Sequence, residues 1–187
     1  MELKGERVLL REFDPQDVGA LHVIHSDPRV LRYYDPDVGT LERTRALVAL
    51  FVEWANDNPR QNFQLAIIDS KTNLLLGSCG VRTKDCPPGK AEFGIGIAQE
   101  RWGTGVAQDA AQTILRFGFS ELGLKEVRAV TVSDNEAVTK FARRMGFTAG
   151  PPRQGDAWMT QRGWSAVDWS LTREIWENTI SMDGILE

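Results

Sequence analysis

Trp102-Gly103-Thr104-Gly105-Val106-Ala107 decides the fold of this chain, because it stands where a strand hands over to an amphipathic helix. Phe93 to Ala98 reads as a buried strand, and beyond the turn Ala107, Ala110, Ala111, Ile114, Leu115 and Phe119 recur at helical spacing. Such a junction aims the free N–H groups of a helix N-terminus at one spot. Gly103 and Gly105 carry no side chain to hold an anion away from the backbone, so a phosphate or pyrophosphate is the ligand the turn suits. A Gly-x-Gly sequence on its own is equally a bare structural turn. Two common nucleotide motifs are missing: there is no Gly-x-x-x-x-Gly-Lys-Ser/Thr loop, and no acidic ribose partner stands at the distance a dinucleotide fold requires.

A second unit of the same kind follows. Val127, Ala129, Thr131 and Ser133 alternate as strand residues, Ser133, Asp134 or Asn135 supplies an N-cap, and Gly146 supplies the stop of the next helix. The chain therefore repeats strand, polar turn and helix.

These residues resemble the GNAT N-acetyltransferases. The glycine turn is similar to their [Gln/Arg]-x-x-Gly-x-[Gly/Ala] acetyl-CoA motif, and Asn135 through Gly146-Phe147 resembles the following segment. The likeness is nearest to the RimJ/RimL-type branch, with its Trp-Gly-x-Gly-x-Ala turn, Asn-x-x-Ser helix start and Gly-Phe helix end. It extends to Arg7 to Asp14 as the opening strand, Ser26-Asp27-Pro28 as the first helix end, and Leu75-Leu76-Gly77-Ser78 in the middle hairpin. The resemblance implies one N-acetyltransferase domain over residues 1–187, of α+β (α/β sandwich) class. Its mixed, mostly antiparallel central sheet would have about seven strands, splayed between the fourth and fifth and flanked by about four helices. Two departures stand out. Trp102 replaces the Gln or Arg of the superfamily pattern, and Val138 and Ala142 replace a Ser and the Tyr that protonates the departing thiolate in many relatives, so no general acid is named.

Length and composition agree with one domain. The 187 residues can bury a substantial core, and 42% hydrophobic with 26% charged residues is ordinary for a globular protein. The longest apolar runs, such as Ala46 to Val52, are far shorter than a membrane span. Met1 leads into Glu2-Leu3-Lys4-Gly5 without an apolar signal region, which makes the cytoplasm the expected location. A net charge of −4 without a dense basic block argues against nucleic acid and mildly favours a cationic acceptor. Cys79 and Cys86 are too far apart for a Cys-x-x-Cys site and lack companion zinc ligands, so two free thiols are expected.

Arg7 to Phe13 reads as the first strand, and Pro15-Gln16-Asp17 opens a helix running to about Ser26. A second helix spans Thr40 to about Asn56, with Leu41, Ala46, Leu47, Leu50, Phe51 and Trp54 on its inner face. Phe63 to Ile68 and Leu74 to Arg82 form a hairpin, Ala91 to Ala98 the next strand, and Phe147 to Ala149 and Val167 to Leu171 the last strands. The tail from Asn178 is expected to fray.

The resemblance sends the pantetheine arm of acetyl-CoA between the strands ending at Ala98 and Ser133. There the backbone of Ile95, Gly96 and Ile97 would pair with it, and an N–H would polarise the thioester carbonyl. Trp102, Gly103, Thr104, Gly105, Val106 and Ala107 complete the cofactor set. Glu92 lies on the same side of its strand as Gly94 and Gly96, so a partly buried carboxylate there can take the amine's proton, directly or through water. A salt bridge to an Arg is the competing reading. Asn135 either donates from its amide to the cofactor or only caps its helix. His22 and His25, at i,i+3 without companion ligands, read as solvated or packing histidines, and no metal is expected. Trp54, Trp169 and Trp176 sit at core-like spacings, whereas Trp158 and Trp164 in the Pro151 to Ser165 loop are candidate contacts for the acceptor amine. The reading is acetyl transfer from acetyl-CoA to a primary amine, on a protein N-terminus or on a small molecule such as a polyamine or aminoglycoside, by a monomer or homodimer. A non-catalytic CoA-binding sensor is the alternative from another class.

Overall fold

The computed structural model describes residues 1–183. Strands β1 (Glu2–Lys4), β2 (Val8–Arg11), β3 (Asn62–Asp69), β4 (Leu75–Arg82), β5 (Lys90–Ile97), β6 (Glu126–Val132), β7 (Thr148–Ala149), β8 (Arg153–Gln154) and β9 (Ser165–Thr172) form one sheet. Its order is β1-β2-β3-β4-β5-β6-β9-β7, with β8 also on β9. Every pairing is antiparallel except β5 with β6. The helices are α1 (Val18–His25), α2 (Pro28–Leu31), α3 (Leu41–Asn56), α4 (Val106–Ser120), α5 (Glu136–Arg144), α6 (Ala157–Thr160) and α7 (Arg173–Asp183). The α+β architecture is the expected one. Among the described residues it carries nine strands and seven α-helices: β1, β8, α2 and α6 are too short to leave a periodic pattern, and α7 adds a helix after the last expected strand.

Strand alternation builds two cores. Leu65 and Ile67 of β3 join the cluster under α4 (Ala110, Ala111, Ile114, Leu115), while Ala66 and Ile68 face Leu21 of α1 and Val48 and Phe51 of α3. The buried stripe of α3 is Thr44, Val48 and Phe51, whereas Leu41 and Ala46 are exposed, contrary to the expected inner face. Stepping 44, 48, 51 follows the helical period, so these three set the phase. Cys79 is a buried free thiol in β4 and Cys86 is also free.

The end of the chain differs from expectation. Instead of fraying at Asn178, α7 continues to Asp183. It is anchored by Trp176, buried against Phe119 at 5.1 Å, and by the Arg173 guanidinium, which donates to the carbonyls of Leu124 and Phe119. The remainder of that expected tail, 184–187, lies outside the described residues.

Candidate active site

The parallel pair β5–β6 opens the site. Only Lys90, Ala91 and Glu92 are in register with Glu126, Val127 and Arg128; beyond them the strands part. The gap widens into a cavity of about 1110 Å³ between β5, β6 and α5, roofed by Tyr33, Tyr34, Trp158 and Met159.

The β5 backbone meets this gap unevenly. Gly96 turns its carbonyl toward Gly77 of β4, and the Ala98 N–H donates to Leu76 at 2.8 Å. Since bonding sides alternate along a strand, Ile95 and Ile97 direct their N–H and C=O groups into the gap. The Ile97 carbonyl is taken by Trp102, whose Nε1–H donates to it at 3.2 Å. Open pairing groups therefore come from Ile95 and the Ile97 N–H. The expected backbone contact from Gly96 is corrected: its amide faces β4, and what it offers the cavity is a bare Cα.

Past Ile97 the chain makes a turn of 3₁₀ helix, Gln99–Arg101, and enters the glycine turn. Gly103 (φ +72°) and Gly105 (φ +84°) both adopt the left-handed conformation that excludes most side chains. Among the described residues the N–H groups of Gly103, Gly105, Val106 and Ala107 have no carbonyl partner. Thr104 differs from expectation: its N–H reaches Arg101 O at 3.4 Å and its hydroxyl donates to the same carbonyl at 2.7 Å, closing the turn from inside. Sequence reading missed Arg7. Its Nε lies 3.6 Å from where a Gly105 Cβ would be and its Nη1 donates to Thr104 O at 3.5 Å, and no carboxylate pairs with it among the described residues. A cation thus stands beside a cluster of free N–H groups. The glycine turn is outside the cavity lining, at the rim beyond Ile97.

Glu92 lines the cavity, but its side chain is 67% exposed and pairs with Arg82 at 3.6 Å. This corrects the expected partly buried carboxylate: Glu92 stands on the outward face of β5, opposite Arg82 in register, where water reaches it. Arg82 also donates to Gln64 Oε1 at 2.7 Å and lies over Gly94, 3.1 Å from a Cβ there. Glu126 also lines the cavity, is less exposed than Glu92, and is held below the usual carboxylate range by hydrogen bonds from Arg128 and Lys90, both at 2.6 Å. Asn135 lines the cavity and caps α5, its Oδ1 accepting from Val138 N–H at 3.2 Å, which leaves its amide N–H groups free to donate. The neighbouring cavity residues on α5, Val138 and Ala142, are apolar.

The loop aromatics do not form an empty cage. Arg162 places its guanidinium 5.3 Å from the Trp158 ring and 5.4 Å from the Trp164 ring, and Trp164 stacks on Tyr33 at 6.1 Å. Trp158 lines the cavity and Trp164 does not, so the expected acceptor contact at Trp164 is corrected: its faces are spent on Arg162 and Tyr33. His22 and His25 are both partly buried and each encloses an unpartnered Nδ1; His25 borders the cavity, and burial followed by the charge of His22 pushes its pKa down. No group of metal ligands occurs among the described residues, and none of their helices is long and apolar enough to cross a membrane.

A parallel pair splayed over a free helix N-terminus defines an acetyltransferase-type cleft, and the chain belongs to the GNAT family: the family described as acetyltransferase (GNAT) domain matches residues 7–148. It is similar to an uncharacterised N-acetyltransferase, YoaA, of Bacillus subtilis (strain 168), with 29% identity over 146 residues, covering 78% of this chain and 81% of that protein. It is 26% identical over 143 residues to spermidine N(1)-acetyltransferase of Escherichia coli (strain K12), covering 75% and 73%. Its fold matches the crystal structure of a GNAT-family acetyltransferase from Bacillus anthracis with a TM-score of 0.77, at 23% identity, over 93% of this chain and 99% of that one.

Proposed function

We propose that this protein is a cytoplasmic enzyme of the RimJ/RimL-type branch that moves acetyl from acetyl-CoA to a primary amine by direct attack. The observation that carries the reading is the continuity of the cleft: free N–H groups and Arg7 at the glycine turn, then the open edge of β5 at Ile95 and Ile97, then a cavity roofed by α2 and the Trp158 loop. Pyrophosphate binds at the turn, pantetheine pairs with Ile95 and Ile97, and one of their N–H groups polarises the thioester carbonyl. Trp102 holds the turn against the strand end, and Asn135 donates to the acetyl-bearing end. The amine nitrogen bonds to the carbonyl carbon, the C–S bond breaks, and the nitrogen's proton leaves to Glu92 or to water beside it.

The acceptor is a small amine or a peptide N-terminus held against Trp158. A polyamine, the substrate in the name of the Escherichia coli relative, meets a cavity whose Glu92, Glu126 and Asp168 are already matched by Arg82, Lys90, Arg128 and Arg153, which leaves Asp85 as the one lining carboxylate without an ion pair among the described residues. A monoamine or a peptide N-terminus therefore fits better than a polycation. The apolar α5 wall at Val138 and Ala142 keeps a CoA-binding sensor as the second reading.

Thiol release from acetyl-CoA, measured with a panel of monoamines, polyamines and peptides, tests both. Turnover with any of them supports the enzyme, and tight acetyl-CoA binding without turnover supports the sensor. In the active case, Glu92→Gln should lower kcat by about tenfold, below the usual general-base range because the carboxylate is solvated and paired. Acetyl-CoA affinity should stay unchanged.

A further inference from the structure

Tyr34 follows α2 and reaches over the sheet, so that its hydroxyl lies 3.6 Å from where a Cβ on Gly96 would stand. Gly96 has no side chain, so nothing of β5 intervenes between that hydroxyl and the open part of the cleft. The residue keeps 40% of its surface accessible, and its hydroxyl end is enclosed enough that burial pushes the phenol pKa up. Its backbone is fixed from both sides: the N–H donates to Leu31 O at 3.0 Å, and the carbonyl accepts from Arg162 Nη1 at 3.3 Å. The hydroxyl itself has no hydrogen-bond partner among the described residues. A donor aimed at the bare Cα of β5 and bonded to nothing is placed for a ligand.

Resting on the reading of the cleft as a thioester site, we propose that the Tyr34 hydroxyl donates a hydrogen bond to the CoA sulfur as it leaves, making Tyr34 a catalytic residue of the transfer. α5 offers no hydroxyl for this, since Val138 and Ala142 are what it presents. When the amine nitrogen bonds to the carbonyl carbon, the C–S electron pair goes to sulfur, and charge grows on that atom. The Tyr34 O–H bond to it strengthens in step, stabilising the transition state more than the ground state. A phenol, with an ordinary pKa of about 10, is a weaker acid than a thiol of about 8.5, so Tyr34 keeps its proton. The thiolate takes its proton from water afterwards, and the proton lost by the amine passes to Glu92 or water and on to solvent, so the balance closes as acetyl-CoA plus amine giving amide plus CoA thiol.

The test needs no acceptor. CoA bound to the wild type and to Tyr34→Phe is titrated by the ultraviolet absorbance of its thiolate. Wild-type protein should lower the thiol pKa relative to the Phe variant by about one unit, a tenfold change in proton affinity. His25 and Arg43, which line the same cavity, are present in both proteins and cancel from the comparison. Both variants should bind CoA within twofold and melt alike, since only one oxygen is removed. With an amine that turns over, single-turnover acetyl transfer should fall tenfold or more in Tyr34→Phe. Equal thiol titrations in the two proteins overturn the assignment while leaving the acetyl-CoA reading intact. Failure of the wild type to bind CoA overturns the reading and the assignment together. Should Tyr34→Phe melt early, Gly96→Ala supplies the second variant: it places a methyl group against the hydroxyl, and an unchanged thiol pKa there also counts against Tyr34.

Discussion

His25 ends α1 with a buried Nδ1 that has no partner. A helix C-terminus favours imidazolium by about 0.3–1 kcal/mol, yet burial, helped by the charge of His22, wins and holds the pKa below its ordinary 6.5. The unfolded chain therefore binds a proton that the native protein refuses. Stability is full above the unfolded value and is lost as pH falls from 6.5 toward the folded value. Glu12 and Asp17, whose burial is outweighed by Arg60 and Arg11 respectively, act only at lower pH, below their ordinary carboxylate range. Melting temperature measured from pH 7 to pH 5 should decline in the wild type, and His25→Gln should flatten that decline; parallel curves would show that His25 is not the group responsible. Gly105 gives a second residue-scale test. Its φ of +84° makes Val a strained replacement, and the added branches crowd the N–H cluster beside Arg7. Gly105→Val should weaken acetyl-CoA binding at least tenfold, about 1.4 kcal/mol, by calorimetry. Gly123→Val, at φ +68° beyond the opposite end of α4 with nothing nearby, carries similar strain and should leave affinity unchanged.

Among elements, the contact between α4 and the β1–β2 turn was invisible in the sequence. Asp109, in the first turn of α4, accepts hydrogen bonds from the backbone N–H groups of Glu6, Arg7 and Val8 at 3.0, 2.7 and 3.0 Å, and a Cβ on Gly5 would meet its carboxylate at 2.6 Å. Bonds to a charged acceptor are individually substantial, so Asp109→Ala should cost about 2–3 kcal/mol in urea unfolding. Gly5→Ala should be destabilising too, and the double variant less so than the sum, because both remove one interaction. Locally, an aspartate there reads only as a favourable helix start; its partners are more than a hundred residues away. The elements that were legible, β3 to β6, α4 and α5, carry their own periodicity, glycine turns and caps. One-turn α2 and α6 carry none, which is why Tyr34 and the Arg162-filled aromatic cluster emerge only when distant segments meet. Hydrophobicity likewise misplaced the face of α3, where Thr44 is fully buried, bonded to Thr40 O at 3.2 Å, while Leu41 is 39% exposed. Glu92 sits on the strand face the alternation assigns, but strand alternation cannot say whether that face is dry.

For the whole molecule, three register pairs are all that join β5 to β6, so the sheet consists of two blocks bridged along a seam. On the proposed reading, a ligand lying in the seam would replace the missing strand contacts. Bound CoA should slow hydrogen exchange at the amides of Ile95 and Ile97 about tenfold or more while leaving Gly96, already turned to β4, little changed; uniform protection of all three would contradict the assignment of bonding sides. At a ligand concentration about one hundred times Kd, the linkage amounts to about 2.7 kcal/mol, which a protein of this size shows as a rise of about 5–10 °C in melting temperature. The same seam bears on solubility. Each of its two strands is an unsatisfied border inside the fold, able to recruit a strand from another chain. Tyr33, Tyr34, Trp158 and Met159 line the cavity between those borders. On the proposed reading, protein warmed without CoA should therefore scatter light at a lower temperature than protein warmed with it, and equal onset temperatures would show that the seam plays no part in aggregation.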